Sequence, residues 1–460
     1  MISSHGCGMA IDRFSRLASI PALTICALIG TLIGGIMARP AAALTLLRDA
    51  DIEHGLTELA FPILRAAGLN AARVRVLVVE DSSFNAFVVD HNTIFLHSGL
   101  IEKVGSARML QAVIAHEAAH IANGHIARRI GNLHSARNAA GLGAVLGIIA
   151  AAAGGGQAAG GIAIGTQSAA YRTFLSHTRA EEASADRSAA SFLAWSGIDP
   201  RGLLELHHAF EGQELLSLAN QDPYMRSHPL TRDRIRAAED YVAAQGDRIP
   251  PDPNHDYWFA RVRGKLSAFA RAPAWTLRRA PEEAHRDIRL MREAVAWHRQ
   301  ADRARALARI DAAIALRPED PYYYDLKGQI LMENRRWSEA AAACEKAVDL
   351  APRDALILGG LGRAQLADGQ LKAGLDTLEK ARARDFRDAR VLRDLALAYA
   401  RDNQPGMAAL LTAERYALAG QLADAGIHAR RAVIRLPRGS PPWQRAQDVL
   451  SASEKHQTRN

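Results

Sequence analysis

His116-Glu117-Ala118-Ala119-His120 sets two imidazoles four residues apart, with a carboxylate beside the first. On a helix, residues i and i+4 share a face. The apolar spacing of Met109, Leu110, Val113 and Ile114, with no Gly or Pro between, predicts that helix. His116 and His120 can then aim one nitrogen each at a single ion. Glu117 stands beside that ion rather than on it, placed to take a proton from water. Zinc suits two nitrogens and a carboxylate with a fourth position left open. A third ligand is offered by Glu182-Ala183-Ser184-Ala185-Asp186, in a second Ala-rich helical stretch. Glu182 is the expected ligand. Asp186, one turn on, is the expected acceptor for the other N–H of a ligand histidine. Glu181 points elsewhere on the helix and has no such carboxylate four residues behind it. One zinc ion per chain and metal-assisted hydrolysis are the chemistry this pattern predicts.

The elements that must position these side chains come before and after them. Residues 45–68 read as an amphipathic helix, with Ile52, Leu56, Leu59 and Leu64 near helical spacing. Strand signals follow at 73–79, 84–89 and 93–97, the last two flanking a turn at Asp90-His91-Asn92. A small sheet with one hairpin is expected, and almost everything from Ile101 onward is expected to be helical. Residues 139–170 hold Ala, Gly, Ile and Leu without charge and are interrupted by glycines between Gly154 and Gly161. Each half is too short to span a bilayer, which favours a helical hairpin over a transmembrane segment.

Beyond residue 300 the sequence repeats. Ala313, Ala347 and Ala381 are spaced by 34, as are Gly328, Gly362 and Ala396, and Asp320, Asp354 and Asp388. Pro318 and Pro352 share the step, with Phe386 in the third slot. That period fits tetratricopeptide (TPR) helix pairs stacking into an array, because one pair cannot bury its own apolar face. The shared phase of these markers fades after Asp402, and a helix pair out of register is expected over 405–437.

The chain has 460 residues, too many for one core at roughly 100–200 residues per domain. Its composition, 48% hydrophobic and 23% charged, is that of a globular protein. The net charge of +8 comes from basic residues that are scattered rather than gathered in a stripe, so no nucleic-acid partner is expected. Arg13 and Arg16, the apolar run 17–37 and Ala41-Ala42-Ala43 have the order of a signal peptide, with cleavage expected after Ala43. Cys7 and Cys26 would leave with it, and Cys344 alone cannot build a disulfide scaffold or a cysteine metal site. The periplasm is the expected address. Pro250-Pro251-Asp252-Pro253 marks a boundary. The expected organisation is a leader over 1–43, a peptidase domain over 44–250, connecting helices over 251–299, repeats over 300–437 and a tail over 438–460.

HExxH followed by ExxAD, then Ser227-His228-Pro229-Leu230-Thr231-Arg232 and Ile235, resembles the gluzincin metallopeptidases of the CAAX-prenyl-protease and HtpX type over residues 45–245. With a leader in front and repeats behind, the chain is similar to the periplasmic BepA-like subgroup, which handles outer-membrane protein assembly and quality control. The resemblance implies a mainly α fold with a small β-sheet: a zincin-like α+β metalloprotease domain followed by an α-helical TPR solenoid. It also implies that Asn85-Ala86-Phe87, Ile94-Phe95 and Ser98-Gly99-Leu100-Ile101 form the hairpin edge where an extended substrate adds as a strand. Asp90-His91-Asn92 stands where the family has a Gly-rich turn. His228 would either stabilise the oxyanion or occupy the open zinc position in a latent state. His125 would be structural. Implied partners are unfolded or misassembled envelope proteins and, through the repeats, the β-barrel assembly machinery. Peripheral membrane contact is also compatible. Two other readings compete: a chaperone or adaptor whose peptidase site is latent, and a membrane-embedded HtpX-like protease using residues 139–170.

Overall fold

The computed structural model describes residues 45–129, 177–216, 220–246 and 249–457. The expected leader and the Ala/Gly-rich stretch at 139–170 lie outside them. Asp49 is extended and its carboxylate accepts the N–H of Ile52, so α1 begins at Ala50 and runs to Ala66. The residues just before it are not helical as expected. Leu46–Leu47 form a short strand, β1, paired antiparallel with Val79 and Val78 of β2, Arg75–Val79. Ala86–Val88 (β3) and Thr93–His97 (β4) form the hairpin. The sheet order is β1-β2-β4-β3, with β2 and β4 parallel. β3 therefore ends the sheet. After α2, Ser98–Lys103, the helix α3 spans Ala107–Ala122. Ser106 caps it by accepting the N–H of Met109. From Met109 to His120 α3 is buried between the sheet, α1 and α4, Arg179–Trp195, so Gln111, His116, Glu117 and His120 have no water to face.

α5 (Arg201–Ala209), α6 (Pro223–Ser227) and α7 (Arg232–Gln245) complete the peptidase part. The chain breaks at Pro250, but packing does not. Phe259, Val262 and Leu266 of α8, Pro253–Ala270, join the same core as Ile52 and Leu56 of α1. Tyr257 and Ala268 of the same helix join the next core, with α9 (Pro273–Arg279), α10 (Arg286–Arg299), α11 (Arg303–Leu316) and α12 (Pro321–Glu333) nearby.

The array continues as α13 (Trp337–Leu350), α14 (Ala355–Ala367), α15 (Leu371–Arg384), α16 (Ala389–Arg401) and α17 (Pro405–Leu418). The period found in the sequence has a physical cause at each position. Asp320, Asp354 and Asp388 are N-caps. A Cβ on Gly328 would meet Cys344 Sγ at 2.4 Å, and one on Gly362 would meet Leu378 Cγ at 2.5 Å, so these glycines let paired helices cross closely. The helix pair expected out of register over 405–437 is present, at Pro405–Leu418 and Leu422–Arg435. α17 completes the unit begun by α16, while α18 (Leu422–Arg435) opens another with α19, Pro441–Gln457. The step changes here: the N-caps run Asp354, Asp388 and then Gln421, so Gln421 and Ala429 take the places of Asp388 and Ala396 and the 34-residue phase is lost. The segment expected as a tail contributes α19, seated through Ala446 and Ser453.

The two halves are clasped. Arg48 donates to Asp385 Oδ2 at 2.8 Å, and Arg390 donates to the Arg48 carbonyl at 3.1 Å. Ala50 packs with Tyr322, Ala347 and Ile357. Buried Arg261 bridges Asp51 at 2.7 Å and Asp320 at 2.9 Å. No helix among the described residues is long and apolar enough to cross a membrane.

Candidate metal centre

α3 delivers His116, Glu117 and His120, all fully buried, to the side that meets α4 and His228. α4 delivers Glu182 and Asp186. Its start is fixed by a capping box: Thr178 Oγ1 accepts from the Glu181 N–H at 3.2 Å, and Glu181 Oε2 accepts from the Thr178 N–H at 3.1 Å. That bond holds Glu181 at the cap and leaves Glu182, one residue on, aimed inward. His228 follows α6, and its N–H donates to the Tyr224 carbonyl at 2.7 Å.

Four side chains from three segments converge. His116 Nε2 lies 3.1 Å from His120 Nε2, 3.2 Å from His228 Nδ1 and 3.3 Å from Glu182 Oε2. Glu182 Oε1 lies 3.4 Å from His120 Nε2 and 3.1 Å from His228 Nδ1. His116, His120, Glu182 and His228 thus offer ligand atoms within 4.8 Å of one another. Glu117 is beside them: its Oε1 faces His228 Nε2 at 3.4 Å, and neither of its buried oxygens has a hydrogen bond among the described residues.

The surroundings set the protonation. Arg234 donates to Asp186 Oδ2 at 2.6 Å and Oδ1 at 2.9 Å. Burial opposes ionisation of Asp186, but Arg234 and His116 outweigh it and hold the carboxyl well below its usual range. An ionised Asp186 only accepts, so the 2.9 Å contact with His116 Nδ1 puts the proton on that nitrogen. With a cation bound, His116 Nε2 would present its lone pair to it. Arg234 also faces Glu182 Oε2 at 2.9 Å, without hydrogen-bond alignment. Burial pushes Glu182 up, but His228, Arg234 and His116 bring it well below its usual value. Burial depresses His116 too, yet Glu182 and Asp186 raise it to about 10. Burial pushes Glu117 up and His120 well down. His120 Nδ1 contacts His125 Nδ1 at 2.9 Å, so His125 steadies the second imidazole. One divalent cation would satisfy all four donors at once, and two or three nitrogens with a carboxylate suit zinc.

Of the residues expected from sequence, the structure gathers His116, Glu117, His120, Glu182, Asp186 and His228. Asn85 stands apart from the donors. It is buried just before β3, its carbonyl accepts from the His97 N–H at 2.9 Å, and its Oδ1 has no partner among the described residues. Sequence reasoning missed Arg234, which nothing in the spacing distinguishes from Arg232 or Arg236. It also missed His177, whose ring lies 3.6 Å from that of His120 and whose N–H donates to the Ser227 carbonyl at 3.0 Å.

This geometry can support metal-assisted hydrolysis, with the Glu117 carboxylate next to the donors and not among them. Residues 46–242 match peptidase family M48, and residues 331–398 match the tetratricopeptide repeat. The chain is thus an M48 metallopeptidase domain followed by TPR repeats. It is homologous to the beta-barrel assembly-enhancing protease of Escherichia coli (strain K12), 25% identical over 387 residues, which are 83% of this chain and 78% of that one. The mitochondrial metalloendopeptidase OMA1 of Schizosaccharomyces pombe is 28% identical over 200 residues, 43% of this chain and 55% of that one. Among solved structures, MamA 41-end from Desulfovibrio magneticus RS-1 aligns at 23% identity over 35% of this chain and 94% of that one, with a TM-score of 0.32.

Proposed function

We propose that this chain is an exported, periplasmic zinc endopeptidase that acts on unfolded or misassembled envelope proteins, with the TPR array as its partner-binding module. The observation that carries the reading is the 3.1–3.3 Å convergence of His116 Nε2 with His120 Nε2 and Glu182 Oε2, beside a Glu117 free of hydrogen bonds among the described residues. His116, His120 and Glu182 would hold the zinc. Zinc, when bound, acidifies water and polarises a scissile carbonyl. Glu117 takes the proton of the attacking water and returns it to the leaving amine. Its raised pKa suits a group that must both accept and release that proton. Asp186, held by Arg234, fixes the tautomer of His116. The substrate runs along the outer edge of β3, near Asn85, as an added strand. The match to a protease named for β-barrel assembly, together with the leader read from the sequence, supports outer-membrane proteins as clients and the β-barrel assembly machinery as a partner.

A second reading is favoured by one contact: His228 Nδ1 lies with the donors, 3.1 Å from Glu182 Oε1. His228 would then fill the fourth position, and the enzyme would be latent until that loop withdraws. The test is cleavage of an unfolded protein by the purified mature chain, before and after chelation and after zinc is restored. Cleavage lost on chelation and regained with zinc is expected. Cleavage indifferent to the metal would overturn the reading.

A further inference from the structure

The face of the array that meets the peptidase domain continues beyond it. Arg363 and Leu397 sit nine residues past the N-caps Asp354 and Asp388 of successive units, and Arg431 sits ten past the next N-cap, Gln421. Arg363 lines the cavity against the peptidase domain, while Leu397 and Arg431 line a separate recess of about 510 Å³ between α16, α17 and α18. The recess has an apolar floor of Ala396, Leu397, Ala408 and Ala409, and its walls carry Arg393, Arg415, Arg431, Arg435 and His428. No carboxylate lines it.

These arginines are under-compensated. Arg393 shares the carboxylate of Asp394 with Arg363. Among the described residues, Arg415, Arg431 and Arg435 have no ion-pair partner. Arg415 lies over the Tyr416 ring at 5.0 Å, and Arg435 reaches only the Arg431 carbonyl, at 3.4 Å. Burial, then Arg431 and Arg415, hold His428 below the usual histidine range, with Asp424 the one opposing charge. A like-charged cluster repels itself and concentrates anions.

We propose that this recess docks an extended, acidic segment of a partner protein. The proposal deepens the reading of the array as the partner-binding module and rests on it. Guanidinium forks match carboxylates bidentately, and the apolar floor suits side chains alternating with the acidic ones. Elsewhere on the array an arginine already holds a backbone segment, where Arg390 donates to the Arg48 carbonyl at 3.1 Å.

The test uses the full mature chain and a short fluorescent peptide alternating Glu with Leu, alongside Gln–Leu and Lys–Leu versions. The readout is anisotropy at low salt. The acidic peptide should bind at least about tenfold more tightly than the Gln version. Arg431→Glu with Arg435→Glu should abolish that preference and transfer it to the Lys peptide, and the milder Arg431→Gln should weaken the acidic peptide alone. Equal binding of the three peptides, or acidic-peptide binding unchanged in the variants, would overturn the proposal. So would variants that lose phosphatidylglycerol vesicles while the peptide never binds. Metal-dependent cleavage, measured in the same variants, should stay intact, which separates this outcome from failure of the peptidase reading.

Discussion

Arg234 grips both oxygens of Asp186, at 2.6 and 2.9 Å, and Asp186 in turn holds His116 Nδ1 at 2.9 Å. A guanidinium on α7 thereby orients an imidazole on α3 through a carboxylate on α4. All three groups are buried, so none can be satisfied by water.

Arg234→Gln leaves Asp186 a buried charge without its cation. Stability should fall by about 3 kcal/mol, and zinc affinity by about 10–100-fold. Chelator competition and thermal melts measure the two. Arg234→Lys should recover little, since it cannot bond both oxygens in a plane.

Glu117→Gln keeps the shape of the site and removes the base. Proteolysis should drop by about 100-fold or more, with zinc content by mass spectrometry and the melting temperature both retained. Full activity in this variant would remove Glu117 from its assigned role.

His228→Ala takes one imidazole from the donor group and leaves His116, His120 and Glu182. If His228 holds the enzyme latent, zinc should stay bound and cleavage of an unfolded protein should rise several-fold. A fall in turnover at unchanged zinc content would assign His228 to the oxyanion instead.

Asp325, on α12, opens onto the cavity of about 600 Å³ between the array and the peptidase domain. Burial pushes its carboxyl up to about 7, with Lys265 only partly opposing. The folded state therefore holds this proton more tightly than the unfolded chain. The stability it contributes is complete below the usual carboxylate range and is lost as pH rises through about 7. Asp325→Asn should escape that loss. Its advantage over wild type should grow from pH 5 to pH 8 by about 1–2 kcal/mol, since the cavity admits screening solvent. Parallel melts at several pH values would show it, and a pH-independent difference would refute it.

Local geometry was legible in the sequence. His116 and His120 share a face because four residues make about one helical turn. Glu182 was preferred over Glu181 because only Glu182 has a carboxylate one turn on, and the capping bond of Glu181 supplies the complementary reason. The repeat was legible wherever caps and crossing glycines recurred, and faded past Asp402, where the helix pairs continue but no longer step by 34 residues. Long-range partners left no trace: Arg234 is one of three nearby arginines, and the division of α8 between two cores needs the folded chain. β1 was absorbed into the helix behind it, because two leucines before an amphipathic run carry no signal beyond the Asp49 cap.

Leu46–Asp49 belongs to two assemblies at once. Its first residues are a strand of the catalytic sheet, and its last are gripped by Arg390 and Asp385 of the array. The array is therefore not a free arm on a tether. Tension applied to the array would be loaded onto β1, which lies at the opposite margin of the sheet from β3, the strand proposed to receive substrate.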